Sequence, residues 1–118
     1  METEVTIENF PGVVEEGSVL LDVWGPQCAP CIALMPAVDE LAERYEGRVR
    51  VLKLNAPENR KVCRDLRVAG LPAYITMRDG VEVERLTGNG ISIGDIEAAV
   101  ERLLAGAPAK GLPEPNRQ

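Results

Sequence analysis

The sequence predicts an α/β fold whose central mixed sheet of four to five strands carries helices on both faces. Two observations support this prediction. First, Val19–Trp24 and Val49–Leu54 are short, mostly apolar runs on either side of a helical pattern, as in a parallel strand–helix–strand unit. Second, two later runs flank Asp79-Gly80, which is the signal for a tight antiparallel hairpin. Parallel pairing followed by antiparallel pairing makes the sheet mixed, and helices must bury their apolar sides against it.

The helices follow from side-chain spacing. Apolar residues recur at helical intervals over residues 30–45, and Gly47 supplies the stop. A shorter helix is predicted over residues 58–66, with its apolar side chains facing inward. Ser92 and Asp95 form a capping pair at the start of a last amphipathic helix. Three helices therefore alternate with the strands along the chain.

The two ends of the chain give weaker signals. Residues 5–7 are predicted to form an edge strand, and residues 11–16 a short helix with proline at its first turn. One domain is predicted over residues 1–106, because a chain of 118 residues fits a single core. Residues 107–118 are rich in proline and poor in apolar side chains, so we expect a flexible tail there.

Composition excludes several classes of function. Thirteen Lys and Arg against 19 Asp and Glu give a net charge of −6, which repels nucleic acid and anionic membrane surfaces. The absence of His excludes Ser-His and Cys-His nucleophiles and imidazole metal ligands. The acidic start lacks the features of a secretory signal, and three cysteines make an odd count. We therefore expect a cytoplasmic protein, with a monomer as the default state.

A Cys-x-x-Cys pair stands where the first buried strand runs into the long helix. The unpaired N–H groups and the dipole of a helix N-terminus favour a thiolate, which lowers the thiol pKa from about 8.5. Cys28, at the exposed end, is therefore the predicted nucleophile toward a substrate disulfide. Cys31, one turn inside the helix, is predicted to displace the substrate thiol and close the Cys28–Cys31 disulfide.

Two structural interpretations of the pair compete with the redox one. A disulfide that closes four residues stabilises by only about 2 kcal/mol, against about 3 kcal/mol for a fifteen-residue loop, so it makes a weak cross-link. A closed zinc site needs four ligands, and here it would require Cys63 plus a carboxylate or another chain. Cys63 lies on an apolar helix face, where a small core residue is the simpler interpretation.

From about Val5 to Leu104 the sequence resembles the thioredoxin family. The matching stretches are Leu21–Trp24, Cys28-Ala29-Pro30-Cys31, Pro36, Lys53–Asn55, Gly70-Leu71-Pro72, Asp79-Gly80 and Gly88. The resemblance implies the thioredoxin fold and a protein disulfide reductase that cycles Cys28 and Cys31 between dithiol and disulfide. It further implies protein disulfide substrates, a thioredoxin-reductase-like electron donor, and no cofactor or metal beyond the redox-active disulfide.

The same resemblance implies roles for the residues around the dithiol. Pro72 is expected to follow a cis peptide bond beside the cysteines, with the Leu71 backbone pairing to the substrate as an added strand. The implied substrate-binding set is Gln27, Ala29, Pro30, Leu71, Pro72 and Gly88.

Asp22 is the one charge in the first buried strand. The resemblance implies that it lies behind Cys31, is coupled to Lys53, and assists proton transfer during turnover. A structural ion pair of Asp22 with Lys53 is the alternative, because such pairs also perturb pKa values. Burial favours the neutral acid and the lysine favours the carboxylate, so the direction of the pKa shift stays open.

The rim of the predicted site departs from the family. Gln27 and Ala29 stand where thioredoxins usually carry Trp and Gly, and Ile32 replaces a basic residue. Loss of the aromatic side chain is expected to narrow partner recognition.

Two alternative functions are a disulfide oxidase or isomerase with a more oxidising potential, and a thioredoxin-fold binding module with an unused dithiol.

Overall fold

The computed structural model describes residues 4–6, 8–10 and 12–109. Five strands and three α-helices lie within these residues, in the order β1 (Glu4–Val5), β2 (Ser18–Trp24), α1 (Ala29–Arg44), β3 (Arg50–Asn55), α2 (Arg60–Leu66), β4 (Ala73–Arg78), β5 (Val81–Thr87) and α3 (Ile93–Leu104). Short 3₁₀ turns at Gly12–Val14 and Ala56–Glu58 complete the chain path. The predicted elements are therefore present in the predicted order.

The five strands form one mixed sheet in the order β1-β3-β2-β4-β5. Strand β3 runs parallel to β1 and β2, whereas β4 runs antiparallel to β2 and β5. Residues Val19–Val23 of the central strand are all buried, which explains why this run is nearly continuous in apolar residues. The thioredoxin fold predicted from the sequence is confirmed.

Helices cover both faces of this sheet. Alternate strand residues, such as Leu21 and Leu54, pack with Val62 and Cys63 of α2 in one apolar cluster, and we call this side the α2 face. The residues between them pack against α1 and α3, and we call that side the α1/α3 face. Its core consists mainly of Leu20, Val38, Leu41, Val51, Tyr74, Ile96, Val100 and Leu103.

Two local predictions are confirmed by backbone geometry. Asp79 and Gly80 adopt φ angles of 52° and 85° in the turn between β4 and β5, and only residues that tolerate positive φ fit there. At α3, Ser92 Oγ accepts the Asp95 N–H at 3.1 Å, and Asp95 Oδ2 accepts the Ser92 N–H at 2.9 Å. This reciprocal capping box fixes the start of the helix.

The ends of the elements differ from the predictions in detail. The edge strand stops at Val5, because the Thr6 N–H turns to Asn9 Oδ1 at 2.8 Å. The short early helix is a 3₁₀ turn over Gly12–Val14, while Ile7 and Pro11 lie outside the described residues. Helix α2 begins two residues later than predicted, at Arg60, because a 3₁₀ turn precedes it.

The carboxyl-terminal limit of the domain stays a prediction, since residues 110–118 lie outside the described part of the chain. Before that point, Arg78 donates hydrogen bonds to the carbonyls of Leu103 and Ala107, both at 2.7 Å. In the described residues, no helix combines the length and apolarity that crossing a membrane requires.

Candidate active site

Cys28 and Cys31 form a disulfide bond at the start of α1. Cys28 is the N-cap residue of the helix and is half-buried, whereas Cys31 lies one turn inside and is 1% exposed. The Cys31 N–H points at the Cys28 sulfur, with 3.2 Å between the nitrogen and Sγ. In the reduced protein the same N–H group and the helix dipole would stabilise a thiolate on Cys28.

The short connection between β2 and α1 fixes the position of this pair. The Cys28 N–H donates to the Gly25 carbonyl at 3.0 Å, which turns the chain into the helix. Gly25 is buried, and a Cβ atom at this position would come within 3.1 Å of Leu71 Cδ1. Because the two segments approach so closely, the loop that contains Leu71 packs directly against the loop that leads to Cys28.

The Leu71-Pro72 peptide bond is cis, as the resemblance implied. Pro72 is buried and Leu71 is half-buried at the entry to β4. The Gly88 N–H donates to the Pro72 carbonyl at 3.3 Å, and Gly88 itself has a φ of 94° that favours glycine. Gly88, which follows β5, thus lies next to the proline that precedes β4.

The rim around the dithiol is exposed and lacks aromatic side chains at the substituted positions. Gln27, Ala29 and Pro30 are all exposed. Ile32 is 44% exposed, and it is one of two large apolar side chains that the described residues leave this open. The surface beside the disulfide is therefore polar and aliphatic rather than aromatic.

Asp22 is buried on the α1/α3 face of β2, at 1% exposure. Neither carboxyl oxygen has a hydrogen-bond partner among the described residues. The pKa of Asp22 is raised to about 7, chiefly by burial and to a smaller extent by the negative charges of Asp39 and Glu4. The positive charge of Lys53 acts in the opposite direction and is outweighed. Desolvation therefore decides the direction of the Asp22 pKa shift, which the sequence left open.

Lys53 stands opposite Asp22 in the register of β2 and β3, but it does not form an ion pair with Asp22. Its Nζ donates instead to Oδ1 of Asp39 on α1 at 2.6 Å. The structural ion pair considered as the alternative is therefore absent, while the Lys53 charge still lowers the pKa of Asp22. The physical reason is solvation, since the Asp39 side chain is 59% exposed and an ammonium paired there keeps part of its water.

Cys63 is the third cysteine, and it is a free thiol buried on the α2 face. Burial raises its pKa, which makes it a poor nucleophile. This agrees with its interpretation as a core residue. The described residues also contain no cluster of three or more His, Cys, Asp or Glu that could hold a metal ion.

Two residues of the site were missed by sequence reasoning. Asp39 carries the partner carboxylate of Lys53, and Tyr74 stands opposite Asp22 in the register of β2 and β4. Helical periodicity places Asp39 on the exposed side of α1, and strand alternation places Tyr74 in the core. Neither pattern shows which residue on another element each one meets.

A disulfide at a helix N-terminus, a cis-proline loop packed against it and a buried acid with a raised pKa are the features of a protein that exchanges thiols and disulfides. The thioredoxin family model matches residues 2–102. Thioredoxins of Staphylococcus aureus strains Mu50 and MW2 are each 36% identical over 85 residues, which cover 72% of this chain and 82% of each relative. The chain belongs to the thioredoxin family.

Its activity follows from this membership. The protein is a thiol–disulfide oxidoreductase of the disulfide-reductase type, and its substrates are protein disulfides. The bonded Cys28–Cys31 pair is its redox-active disulfide.

Proposed function

We propose that Cys28 is the attacking thiol and Cys31 the resolving thiol of this reductase. The Cys28 thiolate attacks one sulfur of the substrate disulfide, and the other substrate sulfur leaves as a thiolate and takes up a proton. Cys31 then loses its proton and attacks the Cys28 sulfur, which releases the second substrate thiol. Two electrons and two protons pass to the substrate, and the Cys28–Cys31 disulfide remains. The greater exposure of Cys28 than of Cys31 supports this order.

Asp22 is the proposed acceptor of the Cys31 proton. A proton-transfer group works best when its pKa lies near the operating pH, and burial brings the pKa of Asp22 to about 7. The sequence contains no histidine that could take this role. Lys53 is the proposed electrostatic partner, because its charge lowers the pKa of Asp22 without a direct ion pair.

Replacing Asp22 by Asn tests this role, because Asn keeps the shape and removes the titration. We expect resolution of a preformed mixed disulfide to slow by about 10²-fold between pH 6 and pH 7, the usual effect of losing a general base. The deficit should shrink at higher pH, where the Cys31 thiol ionises without help. Stopped-flow measurement with the single tryptophan, Trp24, as the fluorophore would follow the step. An unchanged rate from pH 6 to pH 8 would remove Asp22 from the mechanism.

The proposed substrate groove runs between the two loops that meet at Gly25. An extended substrate segment would pair with the Leu71 backbone as an added strand beside Pro72. Its side chains would contact the remaining members of the predicted set, Gln27, Ala29, Pro30 and Gly88. The exposure of the first three and the hydrogen bond from Gly88 to Pro72 support this arrangement.

The proposed electron donor is a thioredoxin-reductase-like enzyme. Because the rim of the site lacks the usual aromatic side chain at Gln27, we expect a thioredoxin reductase of broad specificity to reduce this protein slowly. Gln27→Trp restores the aromatic contact, so kcat/KM with such a reductase should rise about tenfold. Glu46→Trp is the matched control, because Glu46 is exposed just beyond the other end of α1. Equal gains in both variants, or full activity of the wild type in a coupled insulin assay, would contradict the proposal.

The redox poise separates the reductase from an oxidase or isomerase. Equilibration against defined glutathione ratios, followed by counting of alkylatable thiols, should show the loss of two thiols already at strongly reducing ratios. Loss only at oxidising ratios would indicate an oxidase.

We also propose a reducing, cytoplasmic location and a monomer, and the free, buried Cys63 supports the reducing compartment. Sedimentation of the reduced protein checks the monomer.

A further inference from the structure

The α1/α3 face contains buried polar atoms besides the Asp22 carboxyl, and the reductase mechanism does not use these others. Within the described residues, four side chains there have buried polar atoms without a hydrogen-bond partner, namely Asp22, Trp24, Asn55 and Tyr74. Buried polar groups in proteins are almost always hydrogen-bonded, so such a cluster calls for a physical account. All four belong to β2, β3 or β4, the three central strands of the sheet.

The strand register sorts these four side chains into two complementary pairs. Trp24 is opposite Asn55 on β3, and the indole can only donate whereas the Asn55 oxygen can only accept. Asp22 is opposite Tyr74 on β4, and a carboxylate can only accept whereas the phenol can donate. Directly opposed residues on one sheet face stand about 5 Å apart at their Cβ atoms, within reach of a tyrosine and a bridging water.

We propose that Tyr74 is the positioning residue of Asp22, and that in the reduced protein its hydroxyl donates a hydrogen bond to the Asp22 carboxylate, directly or through one water. This inference rests on the proposed proton transfer by Asp22 and assigns the group that supports it. The hydroxyl would hold the carboxylate in one orientation toward Cys31. It would also stabilise the charged form that must accept the proton.

Tyr74 is the unpartnered donor that stands directly opposite Asp22, since the Trp24 indole is opposite Asn55. Lys53, on β3, is engaged by Asp39 of α1 at 2.6 Å. Glu4, on β1, stands opposite Lys53 and adds a second negative charge that acts on Asp22. Tyr74 is 1% exposed, and its pKa is raised by burial and by the Asp22 charge, so the hydroxyl keeps its proton. It can therefore donate throughout the pH range in which Asp22 titrates.

The test is a titration of the Asp22 carboxyl in the reduced protein by carbon-13 NMR, with the signal assigned by its loss in Asp22→Asn. In Tyr74→Phe the carboxylate loses a donor, so its pKa should rise by about one unit. Tyr45→Phe is the matched control, because Tyr45 is also buried but bonds to Glu97 and Glu101 on α3. An Asp22 pKa that is unchanged or lower in Tyr74→Phe would overturn the proposal.

A second measurement is made on the wild-type protein, so it does not depend on whether Tyr74→Phe folds. The chain has only two tyrosines, so labelling the tyrosine ring carbon that bears the hydroxyl gives two signals in the wild type. The Tyr74 signal should shift with the same midpoint as Asp22, and the Tyr45 signal should not. A Tyr74 signal that stays constant through the Asp22 midpoint would contradict the hydrogen bond.

These readouts are independent of activity. If Tyr74→Phe shifts the Asp22 titration while Asp22→Asn keeps the full rate of resolution, the hydrogen bond stands and the proton-transfer role fails. If Asp22→Asn slows resolution while Tyr74→Phe leaves the titration unchanged, the role of Asp22 stands and the assignment of Tyr74 is wrong.

Discussion

The two faces of the sheet differ in what they bury. The α2 face is covered by apolar side chains and Cys63, and Asp22, the one buried charged residue among those described, lies on the other face. The α1/α3 face has an equally buried core, but it also contains Asp22, Tyr74 and the stem of Lys53. Leu21 and Asp22 are neighbours in β2 and point to opposite faces, so the same strand contributes to the apolar core on one face and to the polar site on the other.

The polar groups are also confined along the strands. Leu20 and Val51, at the earlier ends of β2 and β3, are apolar and buried on the α1/α3 face. Asp22, Trp24 and Asn55 follow toward the later ends, where β2 leads into the loop before Cys28. Burial of a polar group costs free energy. Buried Thr76 and Asn59 offset this cost with hydrogen bonds, whereas the unpartnered buried polar atoms of the described residues all lie toward this end of the sheet.

The largest expected effect is the loss of reductase activity when Cys28, at the start of α1, is replaced, in contrast to Cys63 on the α2 face. Cys28→Ser should reduce disulfide reductase activity to background, because no nucleophile remains at the helix terminus. Cys63→Ser should keep activity within about twofold, since its high-pKa thiol lies under α2. Insulin reduction and iodoacetamide labelling of the reduced wild type check both statements. Labelling of Cys63 or Cys31 ahead of Cys28 would contradict the comparison.

Neighbouring substitutions in β2 should change stability in opposite directions. Leu21→Ala removes a fully buried side chain from the α2 face and should cost about 3 kcal/mol of unfolding free energy at every pH. Asp22→Asn removes a buried carboxylate from the other face and should stabilise the protein by on the order of 3 kcal/mol at pH 8. Urea unfolding of the two variants and the wild type measures both changes.

The pH dependence of the Asp22 effect has a defined sign. The folded pKa of about 7 lies above the ordinary value of 3.8, so the folded state binds the proton more tightly than the unfolded state. Wild-type stability therefore falls as the pH rises from about 4 to about 7 through this group. The advantage of Asp22→Asn should be absent near pH 4 and complete above pH 7. A constant advantage across this range would exclude titration as its cause.

The smallest expected effect concerns the partner of Lys53. Asp39→Asn removes a negative charge that raises the pKa of Asp22 and frees the lysine, so that pKa should fall by about half a unit. Asp65→Asn breaks a comparable exposed pair with Lys61 on α2 and should leave the Asp22 pKa unchanged. Carbon-13 NMR of the Asp22 carboxyl reports both. A fall of equal size in Asp65→Asn would show a general charge effect rather than a local one.

The sequence by itself determined the features that depend on neighbouring residues. The apolar run of β2 and the capping box of Ser92 were predictable because strand burial and helix capping leave local patterns. The Asp79-Gly80 turn was predictable because few residues accept positive φ. The spacing of Cys28 and Cys31 likewise identified the dithiol.

Only the tertiary structure decided which residues from distant segments meet. It places Leu71 against Gly25, pairs Lys53 with Asp39, and positions Tyr74 opposite Asp22. These contacts depend on strand register and on the placement of α1 over the sheet, and neither leaves a periodic signal in one segment. The direction of the Asp22 pKa shift depended on them too, because the desolvation and the surrounding charges of a carboxyl are properties of the folded core.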